Sequence, residues 1–178
     1  MFAFLDRKIP FAVILWAFPV VFLAHDLEEM VTREQFLREH RNLLPESIAA
    51  FAQMTTAQFG LCVIVLLLIG SGVAYLALYP SKSQFGPHLY EIVLAIRFTN
   101  ALMHVGQTAV LREYVPGVVT AALFGIPYSL YAFRRMLQSS WMTGKQVVAV
   151  VLVGALIQAP IVLVIILLGK LIGTLLGT

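Results

Sequence analysis

The chain has 178 residues, of which 60% are hydrophobic and 12% charged, with a mean hydropathy of +0.90 and a formal net charge of +3. A water-soluble domain of this size does not need that balance, so the expected solvent is lipid. The basic residues are scattered without interleaved aromatics, which excludes a nucleic-acid partner, and the single cysteine, Cys62, excludes an intrachain disulfide and argues against a thiolate metal centre.

The first apolar run occupies residues 9–25, and its sixteen positions from Ile9 to Ala24 cover about 24 Å at 1.5 Å per residue. Arg7 and Lys8 before it resemble the start of a signal peptide, but no small-x-small cleavage site precedes His25, so the run is read as a retained membrane helix. His25, Glu28 and Glu29 then fall near its far boundary. From there to Leu44, charges alternate with Leu27, Met30, Val31 and Leu37 at helical spacing, which predicts an interfacial amphipathic segment.

A second span is expected over 47–79, with a polar start at Gln53, Thr55, Thr56 and Gln58, followed by a turn containing Pro80, Gly86 and Pro87. A third covers 89–111. The fourth, 116–135, starts on Pro116, a favourable first helical position, and the fifth, 147–168, carries Pro160 as a kink. These elements predict one all-α domain, a polytopic bundle of about five transmembrane helices plus the interfacial segment. Six basic residues flank the spans on the N-terminal side (Arg7, Lys8, Lys82, Arg134, Arg135, Lys145) and five on the other (Arg33, Arg38, Arg41, Arg112, Lys170), which favours a cytoplasmic N-terminus.

Chemistry concentrates in two stretches. On a helix, Glu28 and Glu29 lie three and four residues after His25 and flank the imidazole on one face. In the third span, Arg97, Asn100, His104 and Gln107 follow spacings of three, four and three, a polar stripe that must face protein or water. The first and third spans cross in the same direction, and His25 and His104 lie sixteen and fifteen residues after Ile9 and Leu89, so both fall at one depth of about 22–24 Å. Pro116, Gly117 and Thr120 at the start of the fourth span belong at that depth too.

Two imidazoles with one carboxylate leave an open position, the pattern of catalytic zinc sites, and also suit iron or manganese. The expected ligands are His25, Glu29 and His104. Glu28, His25 and His104 are the expected catalytic groups, and Asn100, Arg97 and Thr120 are expected to hold substrate. A buried cation at Arg97 needs a partner: an acidic substrate group, or Glu28 or Glu29.

The blander readings are an ordinary interfacial helix end for His25 to Glu29, interhelical hydrogen bonding for Asn100 and His104, and a plain helix start for Pro116 and Gly117. Three acids near a helix C-terminus oppose the macrodipole, which counts against the first unless the helix continues.

With these residues in view, the chain resembles the HXXEE family of bacterial integral membrane proteins. Its motif stands here as His25-Asp26-Leu27-Glu28-Glu29, its Asn-x-x-x-His signature as Asn100 to His104, and its Pro-Gly-x-x-Thr signature as Pro116 to Thr120. The resemblance implies about five transmembrane helices in a bacterial cell membrane, supports the choice of residues, and leaves the reaction open.

The expected function is therefore a membrane-embedded, metal-dependent enzyme that hydrolyses a lipid-like or apolar small molecule through activated water. A metal-free isomerase or cyclase using Glu28 and His25 is the alternative chemistry. An ion or proton transporter, or a structural subunit, are the alternative classes. Expected partners are the bilayer, the apolar substrate and further copies of the chain.

Overall fold

The computed structural model describes residues 6, 8–40, 54–79 and 85–177. The structure is all-helical, with no strand among these residues. The helices are α1 (Phe11–Glu39), α2 (Thr56–Leu78), α3 (Phe85–Leu111), the single turn α4 (Val118–Thr120), α5 (Ile126–Gln138) and α6 (Gly144–Leu176). A π-helical stretch, Ala121–Gly125, joins α4 to α5, so the two make one rod with a locally widened turn. Three helices, α1, α2 and α6, are long and apolar enough to cross a membrane.

Helix α1 follows Pro10 and runs unbroken to Glu39, with Pro19 inside it. Its 29 residues reach about 43 Å, well beyond a hydrocarbon core of about 30 Å. The segment expected as a separate interfacial element is thus, as far as Glu39, a continuation of the first helix. The objection from the helix dipole falls away with it, because His25, Glu28 and Glu29 sit in the helix interior. The last part of that segment, 41–44, lies outside the described residues.

Helix α2 as described starts at Thr56, preceded by Met54 and Thr55, and the expected start near Ser47 lies, with the rest of 47–53, outside the described residues. The start is set by a capping box: Thr55 Oγ1 accepts from the Gln58 backbone N–H at 3.1 Å while the Thr55 N–H donates to the Gln58 side chain at 3.2 Å. Thr143 and Gln146 cap α6 in the same way. That helix carries Pro160 in its interior and extends to Leu176, past the expected limit at residue 168.

The fourth rod differs from its expectation at its beginning. Helical structure starts at Val118, and Pro116 and Gly117 form the turn before it, with Gly117 in the left-handed region at φ 86°. The helix-start reading of Pro116 is therefore displaced by two residues, because the chain must reverse after α3 and only a left-handed residue closes that turn cheaply.

The core is built from Phe18 and Phe22 of α1, Ala74 of α2, Tyr90 and Leu94 of α3, and Ala132 and Met136 of α5. Phe18 packs on Phe22 and Tyr90 with ring centroids 4.9 and 5.3 Å apart. Helices α3 and α6 touch backbone to backbone at Gly154, where a Cβ would lie 2.9 Å from the Ala95 carbonyl carbon. That small-residue contact brings Gln158, one turn further along α6, onto Asn100. The outer face of α6 presents Leu152, Leu156, Leu163, Leu167 and Leu171 to the surroundings, a leucine surface suited to hydrocarbon and not to water.

Candidate metal centre

Helices α1 and α3 carry the two halves of the site, each as residues four apart on one helical face: His25 and Glu29, Asn100 and His104. The structure brings them together at one depth. The imidazoles of His25 and His104 meet edge to face with ring centroids 4.8 Å apart. The His104 Nε2 lies 3.1 Å from Glu29 Oε1, and Asn100 Nδ2 lies 3.1 Å from His25 Nε2. Both histidines are buried.

The start of α4 closes the site from a third side. His25 Nδ1 is 3.1 Å from the Gly117 carbonyl oxygen and 3.2 Å from Thr120 Oγ1. A carbonyl only accepts, so Nδ1 carries the proton, and in the neutral ring the lone pair is on Nε2, where Asn100 donates to it. Gly117 is required twice over: its backbone is left-handed, and a Cβ on it would lie 2.6 Å from His25 Cε1 and 3.0 Å from Glu29 Cγ.

Glu28 and Glu29 divide the two sides of the imidazole between them. Glu29 turns toward α3 and His104. Glu28 turns toward α4, where its carboxylate accepts from Thr120 N at 2.7 Å, Thr120 Oγ1 at 2.5 Å, Val119 N at 3.2 Å and the Tyr114 hydroxyl at 2.6 Å. Glu28, expected to move protons, is thus placed as the anchor of the α4 start, its lone pairs occupied by four donors. The Thr120 hydroxyl hydrogen goes to Glu28, so its oxygen is left to accept from His25 Nδ1. Burial, and then the bond to Glu28, raise the Tyr114 phenol above its usual pKa, which keeps it a donor.

Arg97 does not meet Glu28 or Glu29. Its guanidinium pairs with Asp26, at 2.6 Å to each carboxylate oxygen, and lies over the Phe22 ring at 4.8 Å. The reason is rotational: Asp26 is one residue past His25 and therefore points about 100° around α1, onto the stripe of Phe18 and Phe22 that Arg97 faces. Asn100 is fixed from both ends, since its Oδ1 accepts from Gln158 Nε2 at 2.9 Å. Gln107, the fourth member of the expected stripe, is exposed and lies outside the cluster.

His25, Glu29 and His104 each offer a ligand atom, and these atoms all lie within 4.8 Å of one another. The edge of a tetrahedron with bonds of about 2.0–2.1 Å is about 3.3 Å, so the 3.1 Å His104–Glu29 pair already has ligand spacing and the full set would close inward around an ion. One feature fits a metal: His25 is oriented by a backbone carbonyl on its far nitrogen, the usual outer support of a ligating imidazole. In His104 the nitrogen facing Glu29 is Nε2, and the far Nδ1 is buried with no hydrogen-bond partner among the described residues, so that ring lacks the same support.

Sequence reasoning missed Asp26, Tyr114 and the contact role of Gly117. Asp26 stands inside the His25 to Glu29 motif, and the need of Arg97 for an acid was the available signal. Nothing in the sequence singles out Tyr114. Gln158, a polar residue deep on the last helix, has Asn100 as its partner. His40 and His88 stand apart from the centre: His40 bonds Glu113, and His88 Nδ1 lies 3.2 Å from Glu91 Oε2.

No curated protein and no solved structure matches the chain. A family model described as a protein of unknown function with HXXEE motif matches residues 16–132, a stretch that contains every member of the cluster except Gln158. The chain belongs to the HXXEE family.

Proposed function

We propose that the protein is a membrane-embedded, metal-dependent hydrolase in which His25, Glu29 and His104 hold a divalent cation, zinc first and iron or manganese next, and the substrate is a lipid-like or apolar molecule. The observation that carries this reading is the convergence of three ligand atoms from two helices within 4.8 Å of one another. Three protein ligands leave an open position, the arrangement of catalytic rather than structural zinc. A cation there supplies Lewis acidity and makes water a nucleophile near neutral pH.

The chain's own residues divide the remaining work. Gly117 O and Thr120 hold the His25 ring in the tautomer that leaves Nε2 available. Glu28 fixes Thr120 and so acts as a positioning residue. Asn100 orients the reacting group, and Arg97, neutralised by Asp26, supports the same wall. In the setting we infer, all five rods cross a bacterial cell membrane, the N-terminus is cytoplasmic, and the chain self-associates through its apolar outer faces.

The hydrogen-bonded series Glu28, Thr120, His25 favours a second reading, metal-free acid and base catalysis by an isomerase or cyclase, because it can hold a proton on either side of the Thr120 hydroxyl. Elemental mass spectrometry separates the two. Near-stoichiometric metal in native protein purified without chelator, lost in His25→Ala and His104→Ala variants that remain folded, supports the metalloenzyme. Native protein that takes up none after supplementation with zinc, iron and manganese supports the second reading.

A further inference from the structure

Between α2, α3 and α6 lies a cavity of about 340 Å³, within the range of roughly 300–1,000 Å³ usual for small-molecule sites. Its walls are aliphatic: Val65, Leu66 and Ile69 from α2, Ile96 from α3, Ile161 and Ile165 from α6. Three polar residues interrupt this lining, Arg97, Asn100 and Gln158, and the first two reach through to α1, Arg97 to Asp26 and Asn100 to His25. The cavity and the metal centre thus share Asn100.

We propose that this cavity holds the acyl chain of a lipid ester or amide, with the scissile carbonyl at Asn100. Water cannot be the main occupant of so apolar a space, because buried water needs two to four polar partners, and a hydrocarbon chain fills it without leaving groups unsatisfied. The amides of Asn100 and Gln158 are neutral, and Arg97 is already paired with Asp26, so the polar wall suits an uncharged, hydrogen-bond-accepting group rather than a free anion. A carbonyl oxygen is the matching acceptor.

The carbonyl part rests on the hydrolase reading. A cation held by His25 Nε2 would take the lone pair that Asn100 Nδ2 donates to, and that amide would then be free to donate to the substrate carbonyl. Hydrolysis then consumes one water, breaks the acyl C–O or C–N bond and releases a fatty acid with an alcohol or amine. The chain-binding part needs no metal.

The probe is the methyl ester of a sixteen-carbon fatty acid carrying a mid-chain diazirine, photolysed with the full-length protein in nanodiscs and mapped by peptide mass spectrometry. The expected result is saturable labelling of the Cys62 to Ile69 and Ile161 to Leu168 stretches, competed by unlabelled ester. Val65→Phe and Ile161→Phe, which fill the cavity from different helices, should each lower that labelling by roughly tenfold. Leu156→Phe, at a residue on the outer face of α6 that is itself 77% exposed, should leave it unchanged. Labelling that is not competed, spreads over exposed positions such as Leu152 and Leu156, and ignores both filling variants would overturn the proposal and assign the cavity to ordinary lipid solvation. Metal content of the same samples separates the two readings: competed labelling without metal removes the hydrolase and keeps the chain site, whereas metal with uncompeted labelling does the reverse.

Discussion

Asn100 of α3 donates its side-chain amide to Nε2 of His25 on α1, at 3.1 Å, and so occupies the one His25 nitrogen that a metal would need. Metal binding and the Asn100–His25 hydrogen bond are therefore mutually exclusive. Asn100→Ala removes the competitor and is expected to leave zinc affinity unchanged or raised by up to about fivefold, the equivalent of one hydrogen bond of about 1 kcal/mol, while lowering turnover of an ester substrate. Zinc titration against a competing chelator reads the first effect and ester hydrolysis the second.

Glu28 and Glu29 should separate cleanly. Glu29→Gln removes a ligand and should abolish metal retention. Glu28→Gln weakens acceptance from Tyr114, Val119 and Thr120 and should cost about 1–3 kcal/mol of stability while the metal content stays near native. Thermal unfolding in detergent with parallel metal analysis measures both, and equal metal loss in the two variants would contradict the division of roles.

Gly117→Ala combines a left-handed backbone with a Cβ placed 2.6 Å from His25 Cε1. The backbone strain alone costs about 1–2 kcal/mol, and the collision must also push the imidazole off its position. The variant should therefore lose metal affinity beyond what its lower melting temperature explains, which a zinc titration at a temperature where it remains folded tests.

The Arg97–Asp26 pair is mostly buried, with side-chain exposures of 17% and 6%. Removing one partner leaves an uncompensated charge: Asp26→Asn should cost about 3–5 kcal/mol, whereas Asp26→Leu with Arg97→Met should recover most of that loss. A double-mutant cycle of thermal stability checks the sign of the coupling.

At the end of α1, His40 pairs with Glu113. The hydrogen bond to Glu113, then one to the Phe36 carbonyl, hold the His40 pKa above its usual value of about 6.5. A raised folded-state pKa stabilises fully below the unfolded value and loses that contribution as pH rises through the folded one. The native protein should thus lose more thermal stability between pH 6 and pH 8.5 than His40→Gln does, and identical pH dependence would contradict the tie.

Much of the site was legible because helical geometry is rigid. A rise of about 1.5 Å per residue fixes depth, so two helices crossing in the same direction had to place His25 and His104 level. The spacings of three and four likewise put Glu28 and Glu29 on either side of the imidazole. What spacing could not give is rotation about each helix axis relative to its neighbours, which decides that Glu29 takes α3 and Glu28 takes α4, and that Arg97 finds Asp26. Gly117 and Tyr114 were not legible because the turn after α3 is set by tertiary closure rather than by local periodicity. The continuation of α1 past Glu29 was hidden by its charges, which read as an exit from the bilayer but belong to a helix tied to the start of α2 and the residues just before it, through Arg33, at 3.4 Å from the Met54 carbonyl, and Glu34, at 2.8 Å from Thr56.

The most direct test of the central claim is X-ray absorption spectroscopy on zinc-loaded native protein. A metal centre held by His25, Glu29 and His104 predicts one tightly bound zinc with a nitrogen and oxygen shell at about 2.0–2.1 Å and the outer-shell scattering of two imidazoles, and no such zinc retained by His104→Ala. Zinc that fails to bind at one per chain, or that binds with no imidazole scattering, would contradict it.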